Sequence, residues 1–301
     1  MNVLSNANHG LTPINTSDDV DAEVKSHNTR ALRRRLAVNA LRILLLVVII
    51  GGWELGARLY VATNEAFGID PFFWGQPSGV WAQLVTWVRD GTSQGPLWAQ
   101  IAVTLEEAVI GFAIGVALGV VFGVVLGRNH FLADVLGPYI KAANSIPRVM
   151  LAPLFLIGFG LGMQSKVALA VVLVFFIVFF NAFQGVREVD RNLLANARIL
   201  GASNRQLSTQ VIIPSALSWI LASLHVSFAF ALVGAVVGEF IGGIQGVGLM
   251  VQVAGANFNA NGVFAAIVIL ALVALVAEAF VTWLENRLVR WRPNQAADAM
   301  L

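Results

Sequence analysis

The sequence predicts an all-α polytopic membrane protein with six spanning helices. Of its 301 residues, 57% are hydrophobic and only 12% are charged, which is roughly half the charged share of soluble globular proteins. Six hydrophobic segments are long enough, or nearly so, to cross a bilayer core of about 30 Å. We place these spans near residues 40–60, 108–127, 146–162, 167–185, 216–238 and 263–284.

The two ends of the chain are polar, so we expect them to lie outside a membrane domain that extends over residues 36–293. Residues 1–35 hold no apolar core and end in a run of arginines. A secretory signal would need an apolar stretch directly after its positive end and a cleavage site of small residues. We therefore predict a disordered cytoplasmic tail over residues 1–35 and a short cytoplasmic tail over residues 294–301.

The distribution of basic residues predicts which side of the membrane each loop faces. If the amino terminus is cytoplasmic, all but three of the 19 lysines and arginines fall on the cytoplasmic side. The exceptions are Arg58, Arg89 and Lys166, and Lys166 belongs to a predicted outer turn, MQSK, between the third and fourth spans. The positive-inside rule then places both termini in the cytoplasm. Since this explains the arginines before the first span, no nucleic-acid partner is expected.

An outer segment with four tryptophans separates the first two spans. Its residues 78–88 carry apolar side chains at helical spacing, which predicts a helix lying along the membrane surface. We interpret the tryptophans as anchors at the membrane interface rather than as sugar-binding platforms. They are Trp74, Trp81, Trp87 and Trp98.

The second span carries a glycine at every fourth position. A strip of this kind lies on one face of a helix and lets another helix approach closely. The general frequency of glycine in membrane helices explains one or two such residues, but not five in register. Helix packing is therefore assigned to Gly111, Gly115, Gly119, Gly123 and Gly127.

The third span is predicted to be bent or broken. It contains Pro147 and Pro153, and each proline removes a backbone donor and clashes with the preceding helical turn. The freed carbonyl groups are tolerated only where neighbouring helices or a water-lined cavity satisfy them.

Ionisable side chains inside spans cost roughly 2.5–3.5 kcal/mol each for Asp, Lys or Arg at a helix centre, so each one needs a reason. Glu54 and Arg58 are four residues apart and are predicted to pair. Glu278 is interpreted as a hydrogen-bond partner between helices. Two roles are open for His225 and for Glu239. Each side chain could make a contact within the protein, or it could contact a molecule that crosses the membrane. For Glu239, the contact within the protein would fix the glycine-rich loop after it. We place no basic residue inside a span.

The polar stretch Asp190–Pro214, between the fourth and fifth spans, is predicted to be folded. Asp190 can cap a helix whose apolar residues recur at three- and four-residue spacing, and Gly201 supplies its end. Ser203 and Gln206 form a capping box that starts a second short helix, which ends at Pro214. Two helices joined by a glycine corner form a compact projection whose shape suits docking into the groove of a partner.

This stretch resembles the cytoplasmic coupling loop, or EAA loop, of ABC importer permeases. The family pattern is E-A-A, three residues, G, nine residues and I-x-L-P, and it aligns here on Gly201. The last alanine and the proline match at Ala197 and Pro214, while Val211 and Ile213 are apolar equivalents.

The glutamate of the family pattern is absent, since Ala195 stands in its place. A charged contact with a partner would then have to come from Asp190, Arg191 or Arg198. The resemblance implies that the coupling segment, residues 186–214, contacts an ATPase. The residues implied in this contact are Asp190, Arg191, Ala195, Ala197, Arg198, Gly201, Ala202, Val211, Ile213 and Pro214.

Three further stretches, IPRVMLAPLFLIGFGLG, GEFIGGIQGVGLM and LENRLVRWRP, resemble the permeases of sulfonate, nitrate and taurine importers. The resemblance covers about residues 75–293 and implies a MetI-like fold of six spans in a bacterial inner membrane. It implies a permease subunit that moves a small organic or inorganic anion from an extracytoplasmic binding protein into the cytoplasm. Besides lipid and that binding protein, the implied partners are a cytoplasmic ABC ATPase dimer and a second permease copy in a homodimer.

The chain itself is expected to carry no catalytic site, cofactor or metal. Its sequence holds no G-x-x-x-x-G-K-[ST] phosphate loop, H-E-x-x-H sequence or G-x-S-x-G elbow, and its four histidines show no metal-ligand spacing. ATP and Mg²⁺ would bind to the partner ATPase. Candidate residues of the solute pathway are His225, Glu239, Asn181 and Pro153.

Other functions are open at this point. Within the same class, the solute could instead be a thiamine precursor, riboflavin or an aromatic acid. A secondary transporter driven by an ion gradient would show inverted repeats, and we find none in the sequence. A membrane enzyme or assembly factor would show polar catalytic residues clustered at one membrane depth, and the sequence shows no such cluster.

Overall fold

The computed structural model describes residues 18–288, with side chains for most residues from Arg33 onward. Helices make up the regular structure of this part of the chain, apart from an isolated bridge between Thr92 and Gly95. The all-α prediction is therefore confirmed. The helices are α1 Asp18–Ala62, α2 Pro71–Trp74, α3 Pro77–Arg89, α4 Leu97–Arg128, α5 His130–Ser145, α6 Ala152–Phe159, α7 Met163–Arg187, α8 Arg191–Ile199, α9 Asn204–Gln206, α10 Ile213–Gly242, α11 Val247–Ala256 and α12 Ala260–Leu288.

By length and composition, five helical segments of residues 18–288 can cross a membrane, and there are six spans if a bent pair of helices is counted as one span. The pair combines His130–Ser145 with Arg148–Phe159, which meet at an angle of 83°. Counted in this way, the predicted number of six spans is confirmed. The five long segments are Arg33–Ala62, Leu97–Arg128, Met163–Arg187, Leu207–Gly242 and Ala260–Trp283.

The third span breaks where its first proline predicts a break. Ile146 has extended backbone, Pro147 follows, and a 3₁₀ turn over Arg148–Leu151 leads into α6. Pro153 lies in the first turn of α6, where its missing N–H costs no hydrogen bond. Sequence analysis missed the other arm of the bent pair, the 16-residue α5, which forms although it contains Pro138.

The first of two compact units ends at Ile69 and contains α1. Because α1 begins at Asp18, residues 18–35 are helical, and the prediction of disorder over these residues is wrong. No glycine or proline occurs between residues 18 and 50, so the spanning helix can propagate back towards the amino terminus. Residues 1–17 and 294–301, also predicted as tails, lie outside the described residues. The predicted pair forms, with 2.8 Å between Arg58 Nε and Glu54 Oε1.

The second unit begins at Asp70, and α4, α7 and α10 form its centre. The five glycines of α4 face α7: a Cβ built on Gly115 or Gly119 would lie 2.7 or 2.8 Å from the Cβ of Val174 or Val178. The other three glycines face Ala170, Ala182 and Val186 in the same way. Since these partner side chains also recur at every fourth residue, the two stripes follow each other for roughly four helical turns.

α10 also packs closely on α7, and it meets the beginning of the same stripe. A Cβ built on Gly234 would lie 2.6 Å from Ala170 Cα, and one built on Gly238 would lie 2.8 Å from Lys166 Cγ. Glycines of α4 and α10 thus bring three backbones together around Ala170, and small residues of this kind let helices associate where lipid supplies no hydrophobic driving force.

At the end of the bundle where α4 begins, α3 and α11 pack against α12. The helix predicted over residues 78–88 is confirmed as α3, and Asn261 Oδ1 accepts a hydrogen bond from the Gln76 N–H at 2.9 Å. Val247 and Met250 of α11 are buried against Ala266 and Ile269 of α12. The predicted anchors at this end include Trp74, Trp81 and Trp98, whose side chains are largely exposed.

Candidate functional sites: a coupling segment and a buried polar cluster

The first half of the coupling segment is a short helix that ends in a tight corner. Asp190 caps α8, since its carboxylate accepts a hydrogen bond from the Asn192 N–H at 2.8 Å as predicted. At the other end, Gly201 has a φ of +82°. The N–H groups of Gly201 and of the following residue donate to carbonyls three and five residues earlier in the chain. This pair of bonds is the Schellman arrangement, which ends a helix on a left-handed residue.

The second half begins as predicted but does not end as predicted. In the capping box, Gln206 Oε1 accepts from the Ser203 N–H at 2.9 Å, and Ser203 Oγ accepts from the Gln206 N–H at 3.3 Å. Beyond it, a π-helical turn over Leu207–Ile212 leads directly into α10. The N–H of the residue before Pro214 donates to a carbonyl five residues back, and this wider turn lets the helix continue past a residue that has no donor. The prediction that Pro214 ends a separate helix is therefore wrong.

The corner of the coupling segment exposes large apolar side chains. Ile199 is 83% and Leu200 is 87% exposed, and a Cβ on Gly201 would have open space around it. Ala195, which occupies the glutamate position of the family pattern, is exposed as well. Exposed apolar groups concentrated at one projection are typical of a docking surface. Of the other implied contact residues with described side chains, Ala197, Ala202 and Val211 are half-buried, and Asp190, Arg198, Ile213 and Pro214 are exposed.

The helices that flank the coupling segment extend across the bundle. α7 leads into the segment and α10 leads out of it, and these two helices pack together through Gly234 and Gly238. The coupling segment is thus connected through two packed helices to the opposite end of the bundle.

A buried polar cluster lies at that opposite end, where α4 and α7 begin and α10 ends. The Glu239 carboxylate accepts one hydrogen bond from the Thr104 hydroxyl and one from the Gly248 N–H, each at 2.7 Å. Gln100 Oε1 and Thr104 Oγ1 accept from the N–H groups of Gly246 and Val247 at 2.8 and 2.9 Å. The cluster consists of Gln100, Thr104, Glu107, Lys166 and Glu239, all of them buried.

These bonds attach the first turn of α11 to α4 and α10. The first four N–H groups of a helix have no partner within the helix, and here side-chain oxygens accept from three N–H groups at the start of α11. The carboxylate of Glu239 also faces the positive end of the helix dipole of α11. The sequence left two roles open for Glu239. Its contacts in this structure are those of a residue that fixes the glycine-rich loop. The side chain is fully buried.

Lys166 contradicts two expectations. α7 begins at Met163, so the predicted outer turn MQSK is the first turn of a helix. Lys166 is only 1% exposed, whereas no basic residue was expected inside a span. Its ammonium group donates to the carbonyls of Leu161, Gly162 and Gly242. An ammonium has three donors, so these carbonyls satisfy all of them and make the buried charge tolerable.

The four candidate pathway residues do not form one cluster. His225 Nδ1 lies 2.7 Å from Glu278 Oε1, which confirms Glu278 as a hydrogen-bond partner between helices. Asn181 donates to a carbonyl of its own helix at 2.9 Å, and Pro153 is exposed at the start of α6. His225 and Glu239 are separated by about 21 Å along α10, at a rise of about 1.5 Å per residue. Their assignment to a pathway stays a prediction.

Sequence reasoning missed three members of the polar cluster because it started the second span at residue 108. α4 begins at Leu97 instead, and Gln100, Thr104 and Glu107 lie on its first turns. Their spacing of four and then three residues places them on one helix face, and this polar stripe is the signal that could have found them. Among residues 18–288, no group of three or more His, Cys, Asp or Glu side chains could hold a metal ion.

Comparison with known proteins identifies the family. Residues 115–290 match the family described as "Binding-protein-dependent transport system inner membrane component", and this match includes the coupling segment. The chain belongs to this family. The resemblance found in the coupling segment is thereby confirmed at the level of the family.

Two relatives and one solved structure illustrate the similarity. The permease is 39% identical over 202 residues to the riboflavin transport system permease protein RibX of Chloroflexus aurantiacus, covering 67% of this chain and 75% of the relative. It is 32% identical over 250 residues to the putative aliphatic sulfonates transport permease protein SsuC of Bacillus subtilis, covering 83% and 87%. An inward-facing structure of the MetNI methionine ABC transporter shares the fold, with a TM-score of 0.50, 21% identity and coverage of 64% and 93%.

The permease is therefore a multi-pass inner-membrane component of an ABC importer, and in itself a non-catalytic subunit. Importers of this family work with an ATPase and a binding protein. The MetI-like fold predicted from the sequence is confirmed.

Proposed function

We propose that this permease carries a small organic anion, of the sulfonate or taurine type, from a binding protein into the bacterial cytoplasm. ATP-driven import is the established class, and the similarity to an aliphatic sulfonate permease over 83% of the chain supports the choice of solute. The single observation that carries the mechanism is the coupling segment, a rigid corner with exposed apolar side chains inserted between two long packed helices.

The orientation follows from the distribution of charge. If the amino terminus is cytoplasmic, all but three of the 19 lysines and arginines fall in sequence segments on the cytoplasmic side, as the positive-inside rule requires, and the coupling segment is one of these segments. The buried polar cluster then lies near the outer side. No phosphate-binding loop occurs in the sequence, so ATP and Mg²⁺ bind to an ATPase that is a separate polypeptide.

A second copy of the permease is needed to enclose a pathway. The glycine contacts leave no space between α4, α7 and α10 for a solute, so the route lies beside the bundle. A homodimer would enclose such a route between two bundles. Closure of an ATPase dimer on ATP would move both coupling segments as rigid bodies and shift the bundles between inward-open and outward-open states.

Riboflavin transport is the second candidate, because a riboflavin permease is 39% identical to this chain over 202 residues. The two solutes differ in charge and size, so direct uptake separates them. Family membership also favours ATP as the energy source over an ion gradient.

The proposal is tested by reconstituting the permease with its ATPase and binding protein in proteoliposomes. We expect ATP-dependent accumulation of taurine or an alkyl sulfonate that a protonophore does not abolish. Accumulation of riboflavin but not of the sulfonates would support the second candidate. Uptake that a protonophore abolishes while ATP is maintained would contradict the ATP-driven mechanism.

A further inference from the structure

A cavity of about 650 Å³ lies between the coupling segment and the ends of α4 and α7. Arginines from three separate elements line it: Arg128 ends α4, Arg187 ends α7 and Arg198 belongs to α8. His130 also lines the cavity, and its Nδ1 lies 3.0 Å from Nη2 of Arg187. None of the lining residues that the structure describes is acidic.

Within the described part of the chain, no carboxylate forms an ion pair with the arginines around this cavity. The guanidinium of Arg187 lies 4.7 Å from the ring centroid of Phe183 and contacts a histidine. Arg128 and Arg198 are exposed, and neither forms an ion pair with a carboxylate in the part of the chain that the structure describes. Like charges that share one cavity repel each other. An anion in the cavity would attract each of these arginines and so offset their mutual repulsion.

We propose that this cavity binds the phosphate group of an anionic ligand. Guanidinium groups suit phosphate because their planar N–H donors can engage two oxygens at once. A lipid headgroup and free phosphate present the same group. The position favours the lipid, since basic cavities at the cytoplasmic ends of spanning helices suit anionic headgroups. The remaining lining includes Val186, Leu194 and Leu207, an apolar wall along which an acyl chain can lie.

A ligand at this position would connect the coupling segment to the bundle. Arg198 and Leu207 belong to the coupling segment, whereas Arg128 belongs to α4. A phosphate held by both arginines would favour one placement of the segment relative to the bundle. The site thus gives the surrounding membrane a means of influencing coupling. Binding itself does not depend on the proposed solute or on the presence of an ATPase.

Binding can be measured on the purified permease in a neutral detergent. The thermal unfolding midpoint is followed while short-chain phosphatidylglycerol, short-chain phosphatidylcholine or inorganic phosphate is titrated. We expect phosphatidylglycerol to stabilise the protein saturably and more strongly than phosphatidylcholine. In Arg128→Gln the apparent affinity for phosphatidylglycerol should fall roughly tenfold, because one charge-assisted hydrogen bond is lost. Lys141→Gln, which removes an exposed basic residue of α5 outside the cavity, should leave the affinity unchanged.

The remaining outcomes separate the sources of the phosphate group. Saturable stabilisation by inorganic phosphate that Arg128→Gln weakens would support the site with a free phosphate as its ligand. Equal effects of the two lipids together with no saturable effect of inorganic phosphate, or equal affinities of wild type and Arg128→Gln for the ligand that binds, would overturn the proposal. Arg198→Gln provides the same comparison from the other side of the cavity, should Arg128→Gln fail to fold.

Discussion

Replacement of Gly201 by valine is expected to remove most ATP-driven uptake while the permease still inserts into the membrane. Gly201 holds the corner between α8 and α9 at a φ of +82°, where a residue with a side chain costs about 1–2 kcal/mol and a β-branched residue is a genuine outlier. A penalty of this size lowers the population of the native corner roughly 5- to 30-fold. The spanning helices are untouched, so insertion should be normal.

The cause of this effect is backbone conformation and not crowding, and the control is chosen accordingly. A Cβ at position 201 meets no atom within 4 Å. Gly201→Asn adds a side chain of similar size to valine, but asparagine tolerates the left-handed region. We expect Gly201→Asn to transport and to co-purify with the ATPase, and Gly201→Val to do neither well. Wild-type uptake and ATPase association in Gly201→Val would show that the corner is not required.

Replacement of Gly119 by leucine should produce the largest loss of stability. A Cβ at this position would lie 2.8 Å from Val178 Cβ and 3.0 Å from backbone atoms of Phe175 and Phe179. Backbone cannot move aside unless α4 and α7 separate. Overpacking of a closely packed core costs typically 1–3 kcal/mol, and the displaced stripe extends over several turns. The unfolding midpoint of the purified permease in detergent should fall clearly.

The alanine variants provide a matched comparison for this prediction. Gly119→Ala adds only the clashing Cβ and should destabilise the permease. Gly158→Ala adds the same atom in α6, where nothing lies within 4 Å, and should be neutral or stabilising, since alanine favours a helix by up to about 1 kcal/mol over glycine. If both variants shift the midpoint in the same direction and by the same amount, the close approach of α4 and α7 is not what stabilises the bundle.

The sequence predicted the features that depend on near neighbours. Asp190, Gly201 and the pair of Ser203 and Gln206 act on backbone groups within a few residues, so their roles can be recognised without a fold. The glycine stripe was recognised for a similar reason, because its period of four is a property of one helix. Its partner, the stripe that begins at Ala170 on α7, has the same period and was open to the same reasoning.

Features that depend on distant residues could not be predicted in this way. Thr104 and Glu239 are 135 residues apart in the chain, and nothing in either local sequence indicates that they bond. Lys166 was interpreted as an exposed turn residue because a lysine near a span end usually lies in water. The carbonyls of Leu161 and Gly162, in the loop between α6 and α7, and of Gly242, at the end of α10, accept its hydrogen bonds and make its burial tolerable. Pro214 does not end a helix, because the π-helical turn before it lets the helix continue past a residue that has no N–H donor.

The most direct test of the proposed mechanism is to determine on which side of the membrane the coupling corner lies and which protein it contacts. The chain has no cysteine, so Leu200→Cys introduces a single reactive thiol at an exposed position of the corner. Asn257→Cys, exposed at the end of α11, marks the opposite end of the bundle. An impermeant maleimide should label Leu200→Cys in inside-out vesicles only and Asn257→Cys in right-side-out vesicles only, and a thiol crosslinker should join Leu200→Cys to the ATPase. Labelling of Leu200→Cys from the outer side, or its failure to crosslink to an ATPase in a transporting complex, would contradict the proposed mechanism.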